Sequence, residues 1–394
     1  MNILITPFHD WRKIILEGFR TRDAHFIEEL KKHQEIKKVI INRPTTFLEI
    51  FLKRKPNLIR GQVILSQYGF KLYKLEENLY LIDYVSKNFI AQALNGYKWF
   101  INQYGSTKYI SFISKCLAFL NIEKDYCLLN QNIFAYKLTE QLKPKVSIFD
   151  AWDNFLKFNV YKHLLDDIEI GYRTYANTTD FWITNSNDNI VDFENAYQPK
   201  NMFLIKNGVD VNRFVNDRTI KQPEDMKSIP HPIVGFGGKI SQLLDVDLIN
   251  NVVKMSPEIS FVFVGQILDK EVYKRIVKQD NFYYLGDKHY DEYPDYVKNF
   301  DICTVPYVVE DKKKSGANSI KVYEYLATNK KVIGTNSNGL EDLSDYLYIT
   351  NTADEFAEEI KNKENNKKKI VLQEHSWESK IKELLKLIKG ARKD

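Results

Sequence analysis

Short apolar runs alternate along the chain with longer segments whose apolar residues recur every three to four positions. That alternation predicts an α/β protein built on parallel sheets covered on both faces. In the first half, Asn2–Thr6, Val39–Asn42, Asn78–Tyr84, Tyr126–Asn130, Val146–Asp150, Phe181–Thr184 and Met202–Ile205 read as strands. After the first strand, residues 7–25 read as a long loop, followed by a helix containing Phe26, Ile27 and Leu30. In the second half the strands are Pro232–Phe236, Ile259–Val264, Asn281–Leu285, Asp301–Val305 and Lys331–Gly334, with helices from Val246 and over Tyr290–Phe300. Ile381, Leu384, Leu385 and Ile388 stand at helical spacing in a closing amphipathic helix, Trp377–Lys389. Val209–Ser228 is polar and patternless, and reads as the passage between two domains. The predicted division is 1–205, 206–375 and a closing helix, 376–394.

The stretch Ser315–Thr335 organises the chemistry. Gly316 loosens a polar loop, and Asn318 or Ser319 can cap a helix whose first N–H groups attract an anion. Glu324 follows about five residues later, roughly 8 Å along the helix at 1.5 Å per residue. That is near the reach from a diphosphate to the ribose of the same nucleotide, so one helix could grip both ends of a nucleoside diphosphate. The plainer alternative is an ordinary capped helix with an exposed Glu. Asn329 stands where the chain must turn left-handed to leave the helix.

Other polar residues cluster at predicted strand ends, where open α/β sheets place ligands. Gly237 and Gly238 end a strand before a helix, an arrangement that lets backbone approach a phosphate, and Lys239 adds a positive charge. The spacing is not G-x-G-x-x-G, so a dinucleotide fingerprint fits poorly. Gly265 closes the following strand. Asp245 and Asp247 suggest a metal pair, but two carboxylates entering a helix more simply form its favourable first turn. Asp150, ending its strand beside Asp153, could act as general base, orient a sugar through its hydroxyls, or cap the next helix. Arg20, Arg22 and His25 could face a ligand from the first loop.

At 394 residues and 44% hydrophobic, the chain can bury two full cores. Cys116, Cys127 and Cys303 lack metal-ligand spacing and cannot all pair, which fits a reducing compartment. The first residues run straight into a strand, unlike a signal peptide, and no apolar run approaches a membrane span. A cytoplasmic location is expected. The net charge of +5 lies in the first half. Within that half, Thr45–Arg60 joins Phe47, Leu48, Phe51 and Leu52 to Lys53, Arg54, Lys55 and Arg60, a pattern suited to the anionic inner face of a cell membrane or to a lipid-linked substrate. A core helix with a solvated basic end is the alternative. The basic excess is too small, and too poor in aromatic interleaving, for a nucleic-acid partner.

With these pieces in order, the chain resembles the GT-B glycosyltransferases around family 4, near the teichuronic-acid-type enzymes and the glucuronosyltransferase of xanthan assembly. The resemblance rests on NGVD (Asn207–Asp210), GFGGKIS, FVFVG, YYLG, DICTVP, SIKVYEYLATNKKVIGT and SWESKI in the second half. RTRDAHFIEEL and FDAWD carry it more thinly in the first. It implies two doubly wound, Rossmann-like domains facing across a cleft, with the nucleotide sugar on the second, the acceptor on the first, and the closing helix crossing back. By position, Glu324 resembles the ribose-binding glutamate. The backbone of Asn318, Ser319 and Ile320, with Gly238 and Lys239, resembles the diphosphate cradle, and Tyr290 and Leu285 lie where such enzymes hold the base.

Two positions depart from the family pattern. Gly316 stands where family 4 carries a first glutamate, and Asp150 where it often has a histidine. The expected activity is transfer of a sugar, most often from UDP, to a hydroxyl of a glycan or lipid-linked acceptor in cell-surface polysaccharide synthesis, with no obligatory metal. Inversion with Asp150 as base and retention with Asp150 only orienting hydroxyls both stay open. So do an epimerase or hydrolase on the same fold, and a silent nucleotide-sugar-binding scaffold.

Overall fold

The computed structural model describes every residue except 53–58, 124, 216–220, 310–317, 338 and 393–394. The chain divides into two compact units. One comprises Met1–Ile205 with Ile381–Asp394, the other Lys206–Lys380.

In the first unit the strands are β1 (Asn2–Thr6), β2 (Lys37–Ile41), β3 (Thr45–Thr46), β4 (Gln62–Gln67), β5 (Phe70–Glu76), β6 (Leu79–Ser86), β7 (Cys127–Asn130), β8 (Val146–Asp150), β9 (Phe181–Thr184) and β10 (Met202–Leu204). They form one sheet in the order β10-β9-β8-β7-β1-β2-β6-β5-β4, with β3 paired to β6. From β1 the chain winds outward through β2 to β6, then returns to β7 and winds the other way. The order therefore reverses between β1 and β7, the point at which loops leaving adjacent strands diverge and open a crevice. β1, β7 and β8 are almost wholly buried, as parallel strands covered on both faces must be.

Two features of this unit differ from the expectation. Residues 7–25 are not a loop throughout, because Trp11–Glu17 is a helix and Arg22–Lys31 begins inside the segment. Asp10 caps the first helix by accepting from the Arg12 N–H at 2.7 Å, and Gly18 closes it at φ 77°, a left-handed conformation glycine adopts without strain. The helix spans only two turns, too few for periodicity to reveal. The sheet edge also carries an antiparallel meander, β4-β5-β6, that the sequence analysis lacks. β4 and β5 are joined by the two-residue turn Tyr68-Gly69, both at positive φ.

In the second unit the strands are β11 (Ile233–Gly237), β12 (Ser260–Val264), β13 (Phe282–Tyr284), β14 (Ile302–Val305), β15 (Lys331–Thr335) and β16 (Tyr348–Thr350), ordered β13-β12-β11-β14-β15-β16 and parallel throughout. Here the order reverses between β11 and β14. Phe214 and Met226 belong to this unit's hydrophobic core, so part of Val209–Ser228 is packed into the second unit instead of merely bridging two units. The predicted helix over Tyr290–Phe300 begins only at Tyr293, with Pro294 in its first turn, a position proline favours. The closing helix is Trp377–Ala391, with Ile381, Leu384 and Ile388 fully buried.

Candidate functional site

Within the second unit, the loop leaving β11 at the reversal point brings together most of the residues singled out there. Gly238 donates its N–H to the Val264 carbonyl at 2.8 Å, and Lys239 follows it half-buried. Gly265 sits at φ 142°, and a Cβ built on it would come 2.0 Å from the Gly238 carbonyl oxygen. Only glycine allows these two turns to touch.

The helix Ile320–Ala327 then supplies three side chains to one side, because residues three and four apart share a helical face. Tyr325 accepts a hydrogen bond from the Gly237 N–H at 2.7 Å and so ties the helix to the end of β11. Lys321, which the sequence analysis did not single out, reaches Gly238. A Cβ on that glycine would meet the lysine Cε at 2.7 Å and Nζ at 2.9 Å. The ammonium also donates to the Tyr307 hydroxyl and lies 5.3 Å from the Phe236 ring centroid and 4.9 Å from that of Tyr307. A lysine in the first turn of a helix is unremarkable in sequence, and only the fold shows that it covers the glycine turn.

Glu324, on the same helix, is 3% exposed, so it is not the solvated glutamate of the plainer reading. Burial pushes its carboxyl up to about 7, a rise that the hydrogen bond from Tyr290 and the charge of Lys321 partly oppose. Tyr290 is itself buried and donates to Glu324 Oε1 at 2.6 Å, with the Arg213 guanidinium 5.0 Å from its ring centroid. Leu285 is half-buried at the end of β13.

Ser319 is the residue at the helix N-cap and makes no side-chain capping bond, while the Val322 N–H donates to the Ser319 carbonyl at 3.2 Å. Asn318 is committed elsewhere: its Oδ1 accepts from the Asn207 N–H at 2.9 Å and its Nδ2 donates to the Tyr323 hydroxyl at 2.8 Å. It links the NGVD turn to the helix. Gly316 lies outside the described residues. Asp245 caps the helix Val246–Met255 through the Leu248 N–H at 2.9 Å, and Asp247 faces Arg275 at 3.4 Å, the helix-entry role over the metal one.

In the first unit, Arg22 and Asp150 are brought together. The Arg22 Nε donates to both carboxylate oxygens of Asp150, at 3.2 and 3.0 Å, and Gln131 Nε2 donates to Oδ2 at 2.9 Å. Both members of the ion pair are under 5% exposed. Asp150 does not cap the turn after β8, where Asn154 accepts from the Leu156 N–H instead. Asp153 is buried and accepts from the Asn154 N–H, His25 is buried in its helix, and Arg20 pairs with Glu17 at 3.1 Å.

A cavity of about 250 Å³ opens at the carboxyl end of β1, lined by residues that follow β1, β2 and β7, by the helix Tyr97–Tyr104 and by Tyr161. It includes His9, Arg43, Glu49, Asn132 and the rings of Phe8 and Tyr161, of which the sequence analysis named none as a site residue. Phe8, His9 and Asn132 follow β1 and β7, the strands at the reversal of order, and that shared place was the missing signal for them.

Residues 233–365 match the family described as glycosyl transferases group 1. A putative teichuronic acid biosynthesis glycosyltransferase, TuaH, of Bacillus subtilis strain 168 is 27% identical over 138 residues, 34% of this chain and 34% of that protein. The match therefore spans about a third of the curated relative's length. Among solved structures, the trehalose-6-phosphate synthase OtsA superposes over 100% of this chain and 96% of its own at a TM-score of 0.62 and 10% identity. A UDP-GlcNAc 2-epimerase from Neisseria meningitidis, bound to UDP-GlcNAc, covers 99% of this chain and 100% of its own at 0.54 and 12%. At those identities the likeness concerns the fold alone. The chain has the GT-B fold with two Rossmann-like units, and the group 1 match falls within the second of them.

Proposed function

We propose that this GT-B chain, family-4-like over its second unit, is a glycosyltransferase that moves a sugar from a nucleoside diphosphate, most simply UDP, to a hydroxyl of a glycan or lipid-linked acceptor of a cell-surface polysaccharide. The observation that carries the reading is Glu324, buried on the helix whose Lys321 reaches the Gly238 turn. Glu324 would accept the ribose hydroxyls. The first-turn N–H groups of the helix, Lys321 and Lys239 would hold the diphosphate and offset the charge that builds on it as the glycosidic bond breaks. With that positive charge supplied by the protein, no metal is required for departure. The group 1 match over residues 233–365 supports the donor assignment, and the relative's printed role supports the class of product.

The acceptor would bind the first unit. Asp150, committed to Arg22 and Gln131, would serve there as a fixed support for the strand ends. The helix Phe47–Leu52 buries none of its residues, with Phe47, Phe51 and Leu52 each about two-thirds exposed, and Gln92 Nε2 donates to Glu49 at 2.8 Å to hold it to the helix Phe89–Asn95, where Ile90 and Leu94 are exposed as well. Two adjoining helices showing apolar side chains would rest on an anionic membrane, where lipid-linked acceptors reside. Lys53, Arg54 and Lys55 lie outside the described residues; Arg60 is exposed. Among the described residues no helix is long and apolar enough to cross a membrane, so the proposed contact is peripheral.

Release of nucleoside diphosphate from UDP-, GDP- and dTDP-sugars, with and without octyl glycosides, tests the reading. Release that requires the glycoside supports transfer. Release without it would indicate a hydrolase, and none from a protein that still binds nucleotide a silent scaffold.

A further inference from the structure

The resemblance sets Tyr290 where such enzymes hold the base, yet its ring has no face left for one. In the connection between β13 and the helix Tyr293–Asn299, Tyr290 is 3% exposed, with the Arg213 guanidinium 5.0 Å from its ring centroid. The rings of Phe214 and Tyr293 pack against it at 6.0 and 6.3 Å. Arg213 is itself fixed. Its backbone N–H and its Nε donate to Asp210 at 3.2 and 2.9 Å, and its Nη1 donates to Asp291. The phenol oxygen therefore has one place, 2.6 Å from Glu324 Oε1.

Burial, then the charge of Glu324 and the bond to it, hold the Tyr290 hydroxyl well above its ordinary range, so it keeps its proton and donates. The charged groups facing Glu324 are Lys321 from its own helix, and Asp210 and Arg213 from the short helix Val211–Phe214 and its cap. Burial raises the Glu324 carboxyl most and Asp210 adds to the rise, while the Tyr290 bond, Lys321 and Arg213 favour the ionised form. A carboxylate oxygen accepts more than one hydrogen bond, so with Tyr290 on Oε1 the group keeps acceptor sites for two hydroxyls side by side. Held from one side, it cannot swing to suit a sugar that offers only one.

We propose that Tyr290 is a positioning residue: it fixes the Glu324 carboxylate to meet both hydroxyls of a ribose, so that the site selects a ribonucleoside diphosphate over its 2′-deoxy form. This rests on the reading above that Glu324 receives the ribose. A deoxyribose leaves one buried acceptor site unmet, and a fixed carboxylate has no second geometry to offer it. dTDP-sugars therefore rank below UDP- and GDP-sugars as donors. Without the Tyr290 hydroxyl the carboxylate is free to turn to the single remaining hydroxyl, and the selection relaxes. Loss of that donor also removes a bond that favours the ionised carboxyl, so ionisation moves to higher pH.

Calorimetric titration of the full chain with UDP, GDP and their 2′-deoxy forms, across about pH 5 to 9, tests this. The wild type is expected to bind the ribose form about tenfold tighter or more. Equal affinity for the two forms overturns the proposal without any variant. Tyr290→Phe keeps the ring beneath Arg213, and its melting curve without nucleotide checks that it folds. It is expected to weaken the ribose form about tenfold, to narrow the preference over the deoxy form severalfold, and to move upward the pH at which affinity rises. A purely structural tyrosine would leave the preference and the pH course unchanged. Tyr290→Phe with the wild-type preference and pH course, while Glu324→Ala loses binding, overturns the role of Tyr290 and leaves the donor reading standing. A wild type that binds no nucleoside diphosphate overturns both.

Discussion

The Tyr290 hydroxyl donates to Glu324 Oε1 at 2.6 Å inside the second unit, so the carboxyl proposed to receive a ribose already holds one buried partner. Burial sets the Glu324 carboxyl at about 7 against an ordinary 4.5. The folded state therefore binds the proton more tightly than the unfolded chain, and stability tied to this group is fully present below pH 4.5. It is lost as pH rises to about 7, and is constant beyond. At 1.36 kcal/mol per unit the loss is on the order of 3 kcal/mol. Glu324→Gln is expected to match the wild type in melting temperature near pH 4.5 and to exceed it near pH 8. Parallel pH curves would contradict this. Nucleotide affinity in the wild type should rise as pH passes 7, because the ionised carboxylate accepts hydroxyls better.

Gly265 and Gly238 should respond differently to a methyl group. Gly265→Ala forces a side chain to φ 142° and 2.0 Å from a backbone oxygen, so a loss of several kcal/mol is expected in urea unfolding. At Gly238 the nearest atoms are the flexible end of Lys321. Gly238→Ala should unfold close to the wild-type midpoint yet bind nucleotide more weakly, since the lysine is pushed from its place.

Asp150 and Arg22 form a buried ion pair at 3.0 Å, and removing one charge strands the other. Asp150→Ala is expected to cost roughly 3–5 kcal/mol, while the double change Asp150→Leu with Arg22→Met recovers most of it. Full stability with abolished kcat in Asp150→Asn would instead return the role of base to Asp150.

Replacing Phe47, Phe51 and Leu52 together by Ser should change stability by about 0.5 kcal/mol or less per position, as exposed positions usually do. Co-sedimentation with phosphatidylglycerol vesicles should fall severalfold. Unchanged sedimentation would remove the membrane from the account.

The parallel strands were legible because buried runs such as FVFV and VSIFD stand out against polar flanks, and Asn329 adopts the left-handed turn, φ 57°, that its place after a helix implied. The helix Ile320–Ala327 was likewise legible, since its apolar spacing is local, although neither Asn318 nor Ser319 caps it through its side chain as expected. The meander β4-β5 was missed although Tyr68-Gly69 is a two-residue turn, because its polar alternation lies on an edge with little burial. Lys321 and Gly238 are far apart in sequence and meet only through the order of the strands, and His9 meets Asp23 because the short helix Trp11–Glu17 folds the connection after β1 back on itself. Arg22 and Asp150 both read as ligand-facing, and their pairing with each other, which joins residues 128 apart in sequence, was not legible.

The measurement that reaches the central claim most directly is the melting temperature of the purified chain across UDP, GDP, dTDP and CMP, alone and as sugar conjugates, repeated with Glu324→Ala. A ligand at a hundredfold excess over its Kd stabilises the native state by about 2.7 kcal/mol. A rise with one nucleoside diphosphate, UDP foremost, that disappears in Glu324→Ala is the predicted result. No rise with any of them, or a rise that Glu324→Ala leaves intact, would contradict the account.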